Sequence, residues 1–315
     1  MNKVPKKEDI ISAHNRIRDY IHNTPILTNS SIDSLTESTI LFKCENFQKV
    51  GAFKARGAHN AALLLGEDQV KNGLATHSSG NHAQAVALAA KALRTKAYIV
   101  MPSNAPKVKV EAVKNYGAEV TFCEPNLKAR EDTLDSLVQE HSAYFIHPYN
   151  DYDVIAGQAT CAKELIESHT NLDYIICPVG GGGLLSGSLL SAQYFSPEMS
   201  IIAGEPAGAD DAYRSIKSGK LIPSEKPNTI ADGLLTSLGS KTWPIIKQYV
   251  DDIITVTDDE IIYAMRLIWE RMKIIIEPSC AVPLAVILKE KERFVGKKIG
   301  VILTGGNVDL ERLPF

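Results

Sequence analysis

Four short stretches carry residue types whose spacing could do chemistry. The first is Gly51-Ala52-Phe53-Lys54-Ala55-Arg56-Gly57-Ala58, where one lysine sits among small and apolar residues beside an arginine. An amine in an apolar, cationic neighbourhood loses proton affinity and becomes a usable nucleophile; the same residues would also make a solvated basic patch. The second, Ser78-Ser79-Gly80-Asn81-His82, offers hydroxyls, an amide, an imidazole and backbone N–H groups within five residues. That suits a carboxylate, although a plain helix N-cap would need only one serine, and His82 by itself reads as a packed or capping residue. The third is the tetraglycine Gly180-Gly181-Gly182-Gly183. Backbone N–H groups at a helix N-terminus cradle phosphate, whereas a tight turn needs one or two glycines, and each glycine costs roughly 1 kcal/mol relative to alanine. The fourth is Thr304-Gly305-Gly306-Asn307.

A dinucleotide is the competing ligand for the tetraglycine. Glu205 follows about twenty residues later, where a ribose-binding acid would stand. The G-x-G-x-x-G spacing is not met, however, because Leu185 and Ser186 occupy the third-glycine positions, and no Walker lysine follows. The phosphate is therefore that of a small cofactor, and a nicotinamide-dependent oxidoreductase is disfavoured.

These stretches need strands and helices to hold them. Residues 39–44 predict a strand that delivers the chain to Lys54, and the Ala- and Leu-rich run 56–65 predicts a helix with Lys54 in its first turn. From residue 73 the pattern becomes strand, loop, helix. Strands are expected at 74–78, 97–101, 119–123 and 144–147, with helices at 82–93, 106–116 and 126–140 between them. A second series follows, with strands at 174–179, 200–205, 252–256 and 298–303 and helices at 156–169, 184–194, 257–272 and 278–291. Alternation of this kind predicts α/β architecture with parallel sheets. In such sheets the loops after the strands share one edge and converge on a crevice.

The bulk properties exclude several classes. A net charge of −3 without any Lys/Arg run argues against nucleic acid. No apolar run is long enough for a membrane span, and the opening residues MNKVPKKEDI lack an apolar secretory core. The five cysteines are odd in number and widely spaced, which predicts free thiols in a reducing, cytoplasmic setting.

Taken in order, the four stretches resemble the fold-type-II pyridoxal-phosphate enzymes, and among them the serine racemase and serine/threonine dehydratase group, from Thr24-Pro25 onward. The resemblance implies a tryptophan-synthase-β-like α/β fold of two open, parallel-type domains with the cofactor in the cleft. Residues 1–70 and 151–315 would form the larger, cofactor-binding domain and residues 71–150 the smaller. It implies that Lys54 carries pyridoxal 5'-phosphate as an internal aldimine, with Phe53 against the ring, Asn81 on the 3-hydroxyl, Gly180 to Gly183 on the phosphate and Thr304 at the ring nitrogen. A neutral hydroxyl at that nitrogen makes a weaker electron sink than an aspartate would, which suits β-elimination. The substrate would be a small amino acid held by Ser78, Ser79, Asn81, His82 and Arg130. Lys54 would take its Cα proton from one face, and Ser79 would return one from the other. Plain threonine dehydratases usually have alanine at the Ser79 position, so Ser79 points to the racemase branch.

The resemblance also implies a divalent cation, Mg2+ or else Ca2+ or Mn2+, on Glu205, Asp211 and the carbonyl of Ala209; an acidic helix start is the alternative for these residues. It implies a homodimer and admits a nucleotide (ATP) activator. The expected activity is serine racemisation with dehydration of L-serine, and of L-threonine, to the 2-oxo acid and ammonia. The alternatives are an L-threo-3-hydroxyaspartate ammonia-lyase and a catabolic threonine dehydratase. Three positions depart from the family: Ala159 where glycine is common, Tyr149 after His147-Pro148, and Cys280, the last two expected near the substrate pocket.

Overall fold

The computed structural model describes residues 3–78, 80–105 and 107–315. Ten strands occur among them, and we number these in chain order. They are β1 Ile26–Leu27, β2 Thr39–Cys44, β3 Leu74–His77, β4 Ala97–Pro102, β5 Glu119–Cys123, β6 Tyr144–Phe145, β7 Tyr174–Pro178, β8 Ser200–Pro206, β9 Asp252–Val256 and β10 Lys298–Leu303. They form two sheets, one ordered β1-β2-β10-β7-β8-β9 and one ordered β5-β4-β3-β6. All neighbours run parallel except the edge pair β1 and β2.

Strands buried on both faces read as continuous apolar runs, because successive side chains alternate sides. In the larger sheet Leu41, Ile175, Ile201, Ile253 and Ile302 belong to one core, with the helices Tyr152–Ser168 and Gly183–Phe195. Their neighbours Phe42, Ile176, Ile202, Ile254 and Val301 belong to the other, with Asp258–Leu267 and Pro278–Lys289. The smaller sheet divides in the same way. Leu74, Ile99 and Met101 join the alanines of helix Asn81–Ala92, and Ala75, Tyr98 and Val100 join Leu134 of helix Leu127–His141.

The helix Lys54–Leu63 lies against Tyr152–Ser168 at a contact that only glycine permits. A β-carbon on Gly157 would stand 2.6 Å from the Cα of Gly57, and one on Gly57 would stand 2.4 Å from Gln158 Nε2. Ala159 lies on the opposite crossing, where a β-carbon on Gly187 would come within 2.6 Å of its backbone nitrogen, so its role is packing. Close approach lets the fully buried Arg56 reach two carboxylates. It donates to Glu45 at 2.7 and 2.8 Å and to both oxygens of Glu164 at 2.7 Å. Lys43 joins Glu164 at 2.7 Å, which balances two cations with two anions inside the protein.

Several boundaries differ from expectation. Two short helices, Ser30–Thr36 and Glu67–Val70, stand where sequence periodicity was too brief to register. The helix expected to Met272 leaves α geometry after Leu267 and finishes as a π turn, Ile268–Met272, ended by Lys273 in the left-handed region. The strand expected to His147 stops at Phe145. His147 Nδ1 there accepts the backbone N–H groups of Tyr149 and Asn150, at 3.2 and 2.9 Å, and turns the chain. Ser79 and Pro106 lie outside the described residues.

Candidate active site

Strands β2, β10 and β7 are adjacent, so their carboxyl ends deliver the Lys54 stretch, the Thr304 loop and the tetraglycine to one place. The first two are zipped together. Phe53 N–H donates to the Thr304 carbonyl at 3.0 Å, Gly306 N–H donates to Gly51 at 2.9 Å, and Ala52 bridges Gly305. β3 of the other sheet delivers Ser78 and Asn81. Between them lies a cavity of about 270 Å3. Its walls include Phe53, Lys54, Ser78, Asn81, His82, Arg130, Gly180 to Gly183 and Thr304, which the sequence had placed together.

Four helices begin at this cavity, and none has a side-chain cap. They start at Lys54, Asn81, Gly183 and Pro278, behind Phe53, Gly80, Gly182 and Glu277. Side-chain caps do occur elsewhere in the chain, from Asn29, Asn126, Asp151 and Thr257. Four helix N-termini without an N-cap side chain put the positive ends of their dipoles on one space, which favours anionic ligands. The glycine loop is also sterically obligatory. A β-carbon on Gly181 would stand 2.3 Å from the Tyr149 ring, and Gly182 has φ +87°. Tyr149 thus lies on the loop, edge-on to His147 with ring centroids 4.7 Å apart.

Lys54 Nζ donates to the Pro148 carbonyl at 2.7 Å. Burial lowers the amine's pKa to about 8, against a pull upward from the Glu277 carboxylate. Glu277 was not singled out in the sequence, where it is one acid before Pro278. It is buried, and burial, with Asp232 adding to it, raises its pKa to about 8. Its two oxygens accept from Asn81 Nδ2 at 2.9 and 3.2 Å. Gly305 leaves room for this pair, since a β-carbon there would come within 2.7 Å of Glu277 Oε1.

The imidazoles stay neutral. Burial holds His82 well below its ordinary pKa, and its ring Nε2 pairs with the Ile146 carbonyl at 3.0 Å. Burial likewise lowers His147 to about 3 and His77 to about 4. Ser78 Oγ accepts the Gly80 N–H at 3.2 Å. The Arg130 guanidinium lines the cavity with no ion pair or hydrogen bond among the described residues. Cys280 does not itself line the cavity, but its thiol contacts Thr304, which does. Cys280 is fully buried in the core, and its neighbour Ser279 lines the cavity.

Away from the cavity, Glu205 at the end of β8 accepts the N–H groups of Ala212 and Tyr213, each at 2.8 Å, so it caps the helix Asp211–Ser218. Asp211 accepts from Leu238 N–H at 3.3 Å. Ala209 is buried in the turn between them. Burial raises Glu205 to about 8, with Asp211 and Asp210 adding to it, and raises Asp211 to about 6 against the pull of Arg214. Among the described residues no group of three or more His, Cys, Asp or Glu suited to a metal forms, so a cation here would rest on two carboxylates and carbonyl oxygens. No helix among them is long and apolar enough to cross a membrane.

An α/β scaffold that gathers an activated lysine, a glycine cradle and uncapped helix ends into one cleft defines an enzyme built around an anionic, carbonyl-bearing cofactor. The chain belongs to the pyridoxal-phosphate dependent enzyme family, whose model matches residues 17–305. It is 54% identical over 310 residues to a serine racemase of Dictyostelium discoideum, covering 97% of this chain and 96% of that one. It is 50% identical over 312 residues to a beta-hydroxyaspartate dehydratase of Paracoccus denitrificans, covering 99% of each. The structure of maize serine racemase superposes with a TM-score of 0.96 at 44% identity, covering 98% of this chain and 95% of that one. The fold is therefore the fold-type-II pyridoxal-phosphate fold, and the cofactor class is pyridoxal phosphate.

Proposed function

We propose that the chain racemises serine and also dehydrates L-serine, with L-threonine as a further substrate, to the 2-oxo acid and ammonia. The observation that carries this reading is the half-buried Lys54, its amine lowered to about 8, facing a cavity walled by uncapped helix ends. A chain 54% identical to a serine racemase supports it. The residues present fit the cofactor. Lys54 would hold it, Gly180 to Gly183 would take its phosphate where no side chain fits, Phe53 would pack on its ring, and Asn81 and Thr304 would meet its polar atoms. When bound, pyridoxal phosphate supplies an electron sink for charge developing at the substrate Cα.

The chain's own groups do the rest. The start of helix Asn81–Ala92, with Ser78, binds the substrate carboxylate through N–H and hydroxyl donors. The Lys54 amine takes the Cα proton from one face, and His82, held neutral by burial, adds no charge beside it. Racemisation needs a second acid on the opposite face, for which we assign Ser79, whose neighbours Ser78 and Gly80 line the cavity. In this reading residues 71–150 form a smaller domain over the larger one, made of 1–70 and 151–315. Mg2+ on Glu205, Asp211 and the Ala209 carbonyl offsets the buried acids, and hard oxygen donors with two charges suit it. Exposed Tyr263, Ile275, Leu310 and Phe315 are apolar surface that a partner copy would cover, which supports a homodimer.

The reading is tested by incubating purified enzyme with L-serine, L-threonine and L-threo-3-hydroxyaspartate, with and without Mg2+ and ATP, while measuring D-amino acid and 2-oxo acid. D-serine and pyruvate from L-serine are expected, and Ser79→Ala should lose D-serine formation while retaining pyruvate. If L-serine yields neither product, the reading fails. A second reading, 3-hydroxyaspartate dehydration, is favoured by the unpartnered Arg130 guanidinium, which could take a second carboxylate.

A further inference from the structure

Val50, four residues before Lys54, has φ 58° and ψ 14°. A β-branched residue in the left-handed region is a genuine backbone outlier, and it persists only where its surroundings over-determine it. Gly51 follows at φ +65°, so the pair turns both carbonyls toward the loop after β10. The Gly51 carbonyl accepts Gly306 N–H at 2.9 Å, and the Val50 carbonyl accepts Asn307 Nδ2 at 2.7 Å. The same amide nitrogen donates to Asn81 Oδ1 at 2.8 Å. Asn307 Oδ1 faces Gly51, where a β-carbon would come within 3.0 Å. One side-chain amide therefore spends both N–H groups on residues 257 and 226 positions away in sequence.

We infer that Asn307 is a positioning residue, which clamps the strained Val50–Gly51 turn that leads into Lys54 and sets the direction of the Asn81 amide. With Asn81 Oδ1 occupied by Asn307, its nitrogen is the end left to face Glu277 and the cavity. Asn81 then presents a hydrogen-bond donor, never an acceptor, to a ring oxygen of the cofactor, and a donor favours that oxygen in its ionised form. The inference rests on the reading of Asn81 as a cofactor-binding residue.

A double-mutant cycle on Asn81→Ala and Asn307→Ala tests it, reading cofactor dissociation constant, the pH midpoint of the bound cofactor's absorption band, and melting temperature. In the parent background Asn307→Ala should weaken cofactor binding about tenfold, the scale of one to two net hydrogen bonds, and should move the pH midpoint upward. In the Asn81→Ala background the same change should cost less than about twofold in affinity, because its partner is gone. Fully multiplicative losses would overturn the inference while leaving Asn81 a cofactor-binding residue. A lower melting temperature with an unmoved pH midpoint would also overturn it, by making Asn307 merely structural. Normal cofactor affinity and spectrum in Asn81→Ala would overturn both readings together. Should Asn307→Ala fail to fold, the nearly isosteric Asn307→Asp takes its place in the cycle, with the same outcomes.

Discussion

At Lys54, burial and charge pull in opposite directions, and burial wins. Condensation with a carbonyl needs the neutral amine. Uptake of pyridoxal phosphate by cofactor-free protein should therefore accelerate as pH rises through about 8 and level off above it, read by absorbance after rapid mixing. Glu277→Gln removes the carboxylate that favours the ammonium form and should shift that midpoint downward; an unchanged or higher midpoint would refute the coupling. Glu205 and Asp211 raise a separate pH question. Their pKa values are raised from 4.5 to about 8 and from 3.8 to about 6, so the native state holds their protons more tightly than the unfolded chain does. Their contribution to stability is complete at acid pH and is lost as pH rises through about 6 and then about 8. A cation that replaces those protons should raise the melting temperature little at the lower pH and more at the higher. Mg2+ titrations followed by thermal melting check this, and Glu205→Gln should abolish the effect. An equal effect of Mg2+ at both pH values would count against the site.

Among the elements, helix Tyr152–Ser168 does the most positioning, because it touches both the lysine helix and the helix of the glycine loop. Arg56 joins it to the lysine helix through Glu164 and Thr160, the latter at 3.1 Å. Removing one partner of a buried charge network leaves the others uncompensated, so Arg56→Met should destabilise by about 3–5 kcal/mol in denaturant unfolding. The paired change Lys43→Met with Glu164→Gln removes one cation and one anion together and should cost less; an equal or larger loss would show that charge balance is not what the network provides. Gly181 is the corresponding point in the glycine loop. Gly181→Ala drives a methyl to within 2.3 Å of the Tyr149 ring. That overpacking should cost about 1–3 kcal/mol, measurable in the same way, and Tyr149→Ala in the same chain should recover part of it.

For the whole molecule, the cleft is closed by contacts between elements of different sheets. Asn81 meets Glu277 and Asn307, and Lys109 pairs with Asp232. The segment 146–150 runs from β6 over the glycine loop, where Asn150 Oδ1 accepts Lys241 N–H at 2.7 Å. Apolar side chains left outside this body, Leu310 at 64% and Tyr263 at 53% exposure among them, are what a partner copy would cover. Light scattering should give twice the chain mass of 34.4 kDa; a monomer's mass would sink the homodimer.

Local chemistry made much of this protein readable in one dimension. The strand at Thr39–Cys44 begins and ends where the sequence places it, as a short, mostly apolar run, and the four chemical stretches are visible because glycine runs and small polar loops are costly unless something uses them. The tetraglycine needs no partner to be recognised. Glu277 does, since an acid before a proline has no signature until burial and Asn81 define it. The same holds for the Pro148 carbonyl under Lys54 and for Asn307, whose two acceptors lie more than two hundred residues away. Cys280, beside the pocket in sequence, faces the core because its helix turns it inward. Residue type and spacing were enough to determine that Lys54, the tetraglycine and the Ser78–His82 loop belong together and to one family. Only the tertiary structure decided which backbone carbonyls, carboxylates and amides surround them, because those contacts depend on the order β2-β10-β7 and on helix crossings that no local pattern encodes.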